Sequence, residues 1–294
     1  MGEKDITEKR LESFNDVFSD IINVLVFDGE ETVKEDQLED SETGSYYTQD
    51  RNIHSQIRDV SKYWKANNVI FTLFGLENQT EIDKDMPFRV IGYDGAAYRN
   101  MLVDDNAQRY PVITIVLNFS NKRWTKYNSI RSCLDVNEKL ASFISDYKIN
   151  IVDIAFLPEE TIHKFKSDFK IVADYFVQQR KTGSYIPMDE KTKHTWELLM
   201  LMSALTKDER YIDTYFKEHR EEGLTMCDVV DQFVEKGMEK GMEKGRYEGE
   251  ISTTVRLMKN LIEKMHISVD EAFSMLGVAP DMQAKCRPLL ANNA

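Results

Sequence analysis

The sequence predicts an α/β fold, a mixed β-sheet flanked by helices and followed by a mainly helical C-terminal region. Three observations lead there. Patterns over residues 8–179 run helix, strands, helix, strand, helix or loop, strand, helix, and such alternation is how helices layer onto a sheet. Within it, PVITIVLNF (residues 111–119) is an almost unbroken β-branched run, as expected of a central strand covered on both faces. After Gly183-Ser184-Tyr185-Ile186-Pro187 the pattern is helical to the end. These features place a first domain at residues 1–185 and a helical region at 186–294.

Each element has its own signal. Over residues 8–27, Leu11, Phe14, Val17, Phe18, Ile21, Ile22 and Leu25 share one face at helical spacing, and Asp28-Gly29 stops the helix. Residues 30–57 are acidic and polar, a loop or short hairpin. Strands follow at residues 59–64 and 69–79, folded back on each other at the polar turn Lys65-Ala66-Asn67-Asn68. Tyr93, Ala97, Tyr98 and Met101 mark one helix face, residues 149–157 a further strand, and Phe169, Val172, Tyr175 and Phe176 another helix. In the C-terminal region, Trp196, Leu199, Leu201, Met202 and Leu205 mark a helix. Gly237, Gly241, Gly245 and Gly249 then recur every fourth residue across 235–250. Each costs a helix about 1 kcal/mol relative to alanine, so the stripe reads either as the close contact of a homodimer or as a flexible charged linker. SVDE at 268–271 is a capping box opening a helix that ends near Gly277, and Ala279-Pro280-Asp281 begins one more.

Composition narrows the function. Hydrophobic residues make up 41%, enough for a packed core, while no apolar run approaches the roughly 20 residues needed to span a bilayer. The start, MGEKDITEKR, lacks the apolar core of a secretory signal. Cys133, Cys227 and Cys286 are far apart and form no zinc spacing, so a reducing cytoplasm is the expected location. The net charge of −13 opposes a polyanion at long range. Against that, Lys122, Arg123, Lys126 and Arg131 interleave with Trp124 and Tyr127, a pattern that tracks phosphates and stacks on bases, or else an exposed turn after a strand. No phosphate-loop or dinucleotide fingerprint is present, and none of the five histidines has ligand spacing.

The chemistry concentrates at Asp59, Glu77 and Gln79. Residues two apart on a strand share a face, so Glu77 and Gln79 point together, and the turn at 65–68 lets Asp59 approach Glu77. Two carboxylates suit a divalent cation such as Mg²⁺ or Mn²⁺, and the Gln79 amide can hold a water or phosphate but cannot act as a base. Asp16, four residues before Asp20 on the first helix, is a candidate third metal ligand; the alternative is a pair of solvent-facing charges. Arg89 and Arg99 are candidate phosphate cations, with a pairing of Arg89 to Asp83 or Asp85 as the competing account. Taken singly, Asp59 also reads as a strand-edge partner of Arg58 or Lys62, and Glu77-Asn78-Gln79 as a polar exit from an apolar strand.

FNDVFSDIINVLVFDG, RDVSKYW, LFGLENQTEIDKDMPFRVIGYDGAAYR, YPVITIVLNF and SDYKINIVDIAFL occur in this order. Together they resemble the family of recombination-promoting nucleases and putative transposases within the PD-(D/E)XK nuclease superfamily, over about residues 10–180. The resemblance implies a restriction-endonuclease-like core and Mg²⁺-dependent DNA cleavage, linked to recombination or transposition. On it Asp59 takes the metal-binding Asp, Glu77 the second acidic position, and Gln79 the position where the superfamily pattern has Lys. A missing lysine removes a cation from the transition state. Two functions therefore stand: a metal-dependent DNA endonuclease, and a nuclease-derived module that binds DNA or protein without cutting.

Overall fold

A computed structural model describes residues 11–41, 44–49, 52–103, 108–212 and 225–291. Its core is a five-stranded mixed sheet in the order β1-β4-β5-β6-β7, with β1 Leu38–Asp40, β4 Val60–Ala66, β5 Val69–Gln79, β6 Val112–Asn118 and β7 Asn150–Asp153. The strands β2 (Gly44–Gln49) and β3 (Asn52–Ile57) form a separate antiparallel hairpin. β1, β4 and β5 pair antiparallel, whereas β5, β6 and β7 run parallel.

The β4–β5 reversal is made by Asn67 and Asn68 alone, with φ of 50° and 65°. Two consecutive positive φ values define the tight turn whose twist matches paired strands, and asparagine tolerates them better than most residues. The turn pairs Ala66 with Val69 and Lys65 with Ile70, and a β-bulge between Trp64 and Lys65 then shifts the register by one residue to Val60↔Leu76. That register brings Asp59, the residue before β4, level with Glu77.

The sheet has two distinct faces. Phe74, Leu76, Ile115 and Leu117 face helix α1 (Asn15–Phe27), whose Val17, Phe18, Ile21 and Ile22 are buried. Helix α3 (Phe169–Thr182) joins that layer through Phe119, whose ring lies 6.4 Å from Phe169 and 5.1 Å from Phe176. On the opposite face, helix α2 (Met86–Asn100) connects β5 to the parallel β6. It packs Met86 and Val90 on Val116 near the C-terminal ends of the strands, and Ala97 with Met101 on Leu73 and Val112 toward the other end. Because Leu73, Gly75, Glu77 and Gln79 alternate on this face, Glu77 lies under the first turns of α2.

Three expectations change in detail. The first helix begins at Asn15, after a 3-10 turn at Leu11–Ser13. The apolar run 149–157 is strand only to Asp153 and then closes into a 3-10 turn, Ile154–Phe156. Tyr98 is exposed on α2, although its hydroxyl accepts the Val112 N–H at 3.2 Å. Residues 120–149 carry two 3-10 turns, Arg131–Cys133 and Ala141–Phe143.

The chain divides into two compact units, 1–229 and 230–294. Helix α4 (Thr195–Thr206) belongs to the first and buries Leu198, Leu199, Leu201, Met202 and Leu205. A long helix α5 (Met226–Met265) runs from the first unit into the second. The second unit adds α6 (Val269–Leu276) and α7 (Pro280–Ala291). The expected capping box is formed: Ser268 Oγ accepts the Glu271 N–H at 3.2 Å while the Glu271 carboxylate accepts the Ser268 N–H at 2.8 Å. Gly277, with φ of 60°, closes α6. Around Gly245 and Gly249 the space is open; the side-chain positions of Gly237 and Gly241 lie outside the described residues.

Candidate active site

Glu77 is fully buried, and burying a carboxylate is costly without a nearby cation. Arg89, from the first turns of α2, provides one: its guanidinium donates to Glu77 Oε2 at 3.2 Å and to Asp83 Oδ2 at 3.2 Å. The same guanidinium donates to the Tyr93 hydroxyl at 3.3 and 3.4 Å. Burial is the largest single influence and works against the charge on Arg89, but Glu77, Tyr93 and Asp83 together outweigh it and raise the pKa above the ordinary arginine value. Arg89 is nevertheless 35% exposed, so one cation touches both the buried acid and the solvent. Burial, then the Glu77 charge, with a smaller contribution from Asp59, pushes the Tyr93 hydroxyl up to about 12. Tyr93 therefore keeps its proton at neutral pH and senses both carboxylates.

Asp59 is half-buried, and its Oδ2 accepts the backbone N–H of Asn78 at 2.8 Å. That bond fixes one acid against the residue that follows the other. Gln79 is half-buried at the end of β5, where its carbonyl accepts the Phe119 N–H at 2.8 Å. The structure thus gathers Asp59, Glu77, Gln79 and Arg89 at the C-terminal end of β5.

A second polar group, in which Arg58, Asp94 and Thr114 are buried and Tyr147 is half-buried, lies beside this cluster. Arg58, next to Asp59, pairs with Asp94 of α2, and the Tyr147 hydroxyl donates to the same carboxylate. Thr114 Oγ1 adds a bond to Asp94 Oδ1 at 2.6 Å. Glycine at position 75 leaves room for this group, since a Cβ there would sit 3.0 Å from Arg58 Cδ and 3.3 Å from Thr114 Oγ1, a tight contact on both side chains.

The other expected site residues lie elsewhere. The Asp16 carboxylate accepts from Lys193 Nζ at 2.7 Å and lies 3.0 Å from His194 Nε2, whose ring stacks on Phe14 at 3.8 Å. Asp20 Oδ2 accepts the backbone N–H groups of Lys166 and Ser167. Arg99 is exposed in the last turn of α2, ten residues and so about 15 Å along the helix from Arg89. Lys122 and Lys126 are exposed, and Arg123 stacks its guanidinium 4.6 Å from the Phe156 ring centroid. Trp124, expected to offer a stacking face, is instead buried with Met86, Val90, Val116 and Ile149.

Sequence reasoning missed Glu12. This side chain is buried in the 3-10 turn before α1, and its Oε2 accepts from Asn78 Nδ2 at 2.8 Å. The available signal was an acid between the buried anchor Leu11 and Phe14. Asn78 thereby links Glu12 through its side chain and Asp59 through its backbone.

Among the described residues no group of three or more His, Cys, Asp and Glu side chains is arranged around one metal position. The donors at the β5 end are two carboxylates, a set that fits Mg²⁺, which keeps several waters and takes one or two carboxylates together with phosphate oxygens. No described helix is long and apolar enough to cross a membrane. No curated protein and no solved structure matches the chain. A family model described as "Putative transposase, YhgA-like" matches residues 42–219, which include Asp59, Glu77, Gln79 and Arg89. That match spans more than half of the chain, and the protein belongs to this putative-transposase family of the PD-(D/E)XK superfamily.

Proposed function

We propose that the protein is a metal-dependent DNA endonuclease serving transposition or recombination, with its active site at Asp59, Glu77, Gln79 and Arg89. The observation that carries this reading is the buried Glu77 carboxylate, level with Asp59 across the β4–β5 pair and capped by a partly exposed arginine. Family membership adds the link to transposition and DNA.

Asp59 and Glu77 would hold the divalent ion, Mg²⁺ or Mn²⁺, which supplies charge neutralisation and a water of lowered pKa. The protein's own groups do the rest. Asn78 N–H keeps the Asp59 carboxylate aimed at the cluster. Arg89, anchored by Asp83 and Tyr93, holds positive charge where a phosphate can reach it from solvent. Gln79 offers an amide N–H to a phosphate oxygen or a water and adds no charge of its own. With glutamine where the superfamily pattern has lysine, Arg89 is the cation placed to offset charge that develops on the phosphate.

The test is conversion of supercoiled plasmid to open circle at low salt, with and without Mg²⁺, by wild-type protein and Glu77→Gln. Metal-dependent nicking by wild type alone supports the reading. DNA binding without cleavage across several metals and substrates supports the non-cutting module instead. Homodimerisation through α5 belongs to the same proposal; Val234, Met238 and Met242 are exposed along that helix. Sedimentation before and after deletion of residues 235–250 tests it, and an unchanged mass overturns it.

A further inference from the structure

We infer that residues 131–144 form an apolar wedge that enters the base stack of DNA, and that the preferred substrate is DNA with an already opened base step, such as a nick, mismatch or fork. The inference rests on the DNA-cleaving reading above and names its substrate class.

Four observations carry it. First, Phe143 is 84% exposed and Leu140 57% exposed in the same excursion, with Leu134 at 42%. Covering a side chain of this size gains about 1.5–3 kcal/mol, so Leu140 and Phe143, neighbours in one turn that both stay in water, mark a contact surface. Second, the wedge segment itself is neutral, with Arg131 and Lys139 against Asp135 and Glu138, but the residues that flank it run against the charge of the chain. Between Ser120 and Lys148 there are six Lys or Arg and three Asp or Glu, a local excess of three cations in a protein of net charge −13. An apolar tip with basic flanks suits a polyanion that carries stacked rings, because cations meet phosphates while apolar groups meet bases.

Third, the excursion stands beside the candidate site. Trp124 and Ile149 pack on Met86 and Val90 at the start of α2. The Cys133 thiol donates to the Lys84 carbonyl at 3.2 Å, and Lys84 adjoins Asp83, the carboxylate that braces Arg89. Fourth, the segment is ordered by its own hydrogen bonds. Cys133 N–H bonds Ile130 O at 3.1 Å, Phe143 N–H bonds Leu140 O at 3.0 Å, and Ser129 bridges Lys148. A wedge already shaped loses less entropy on binding than a floppy loop. Opening an intact base step costs a few kcal/mol; a nick or mismatch has already met part of that cost, so it binds preferentially.

The experiment uses the full chain and two duplexes that differ only in a nick or mismatch, each carrying 2-aminopurine, whose fluorescence rises on unstacking. Wild type is expected to bind the opened duplex more tightly and raise its fluorescence. Phe143→Ala is expected to bind the opened duplex roughly 10-fold more weakly and leave the fluorescence flat, while Phe143→Trp restores both. Leu140→Ala, with an unchanged circular dichroism spectrum, gives a smaller loss and guards against misfolding of the first variant. Equal affinity and fluorescence for wild type and Phe143→Ala would overturn the wedge and leave the nuclease reading standing. Absence of DNA binding by wild type at low salt would overturn both. A change in sedimentation with unchanged DNA binding in Phe143→Ala would assign the surface to a second copy and overturn the wedge.

Discussion

Replacing Arg89 by alanine takes away the guanidinium that faces a fully buried carboxylate, and the consequences can be worked through. Removing one partner of a wholly buried ion pair costs about 3–5 kcal/mol, chiefly because the remaining charge stays uncompensated. Arg89 is 35% exposed, so water enters the space it leaves and screens Glu77, which brings the expected cost to about 2–3 kcal/mol. In a domain of this size each kcal/mol is worth about 2–4 °C in melting temperature, giving a drop of roughly 4–12 °C by calorimetry. Two controls give the result meaning. Glu77→Gln in the Arg89→Ala background removes the stranded charge and should recover most of the loss. Mg²⁺ should stabilise Arg89→Ala more than wild type, because an ion held by Asp59 and Glu77 replaces the missing positive charge, and ligand at a hundredfold excess over Kd adds about 2.7 kcal/mol. A variant that melts within a degree of wild type, or responds to Mg²⁺ no differently, would refute this account of the site's electrostatics.

Other perturbations test the surroundings. Gly75→Ala forces a Cβ against Arg58 and Thr114 and should cost about 1–3 kcal/mol in urea unfolding; a neutral result would mean that Arg58 has room to move. Asp94→Ala strands the buried Arg58 and should cost about 3–5 kcal/mol, measured the same way, with Asp94→Asn milder because its one remaining oxygen still accepts a hydrogen bond in the cluster. For Asp16, burial raises the pKa, but hydrogen bonds and charge from Lys193 and His194 prevail and hold the carboxyl below its ordinary 3.8. A depressed folded pKa contributes stability above the unfolded value and loses it as pH falls through the folded value. Asp16→Asn should therefore lower the stability slightly at pH 7, by about 1 kcal/mol or less, with the gap beginning to close below about pH 4. A gap that does not narrow as the pH falls below the ordinary 3.8 would mean the pairing is not the source.

The parts of the fold legible in the sequence were those fixed by neighbouring residues. The β-branched run 111–119 and the Asn67-Asn68 turn specify β4, β5 and β6, whereas the level meeting of Asp59 with Glu77 also needs the one-residue β-bulge between Trp64 and Lys65. SVDE and Gly277 likewise bound α6. What escaped depends on distant partners. Nothing near Asp16 signals Lys193, 177 residues away, and nothing near Arg58 signals Asp94 or Tyr147. Trp124 sits in a basic stretch that looks exposed, yet the start of α2 covers it. Residues 120–149 carry neither a 2.0 nor a 3.6 period, because short turns and side-chain anchors order them in place of a helix or strand. Arg89 was legible as a cation beside Asp83, but its bond to Glu77 needed the packing of α2 over the sheet.

The account stands most directly on whether Asp59 and Glu77 act together in cleaving DNA. The measurement is the Mg²⁺-dependent plasmid nicking rate of wild type, Asp59→Asn, Glu77→Gln and the double variant. Groups that serve one ion are strongly non-additive, so each single variant should lose about 100-fold or more and the double should be no slower than the worse single. Retained cleavage in either single variant, or losses that multiply in the double, would contradict a shared site.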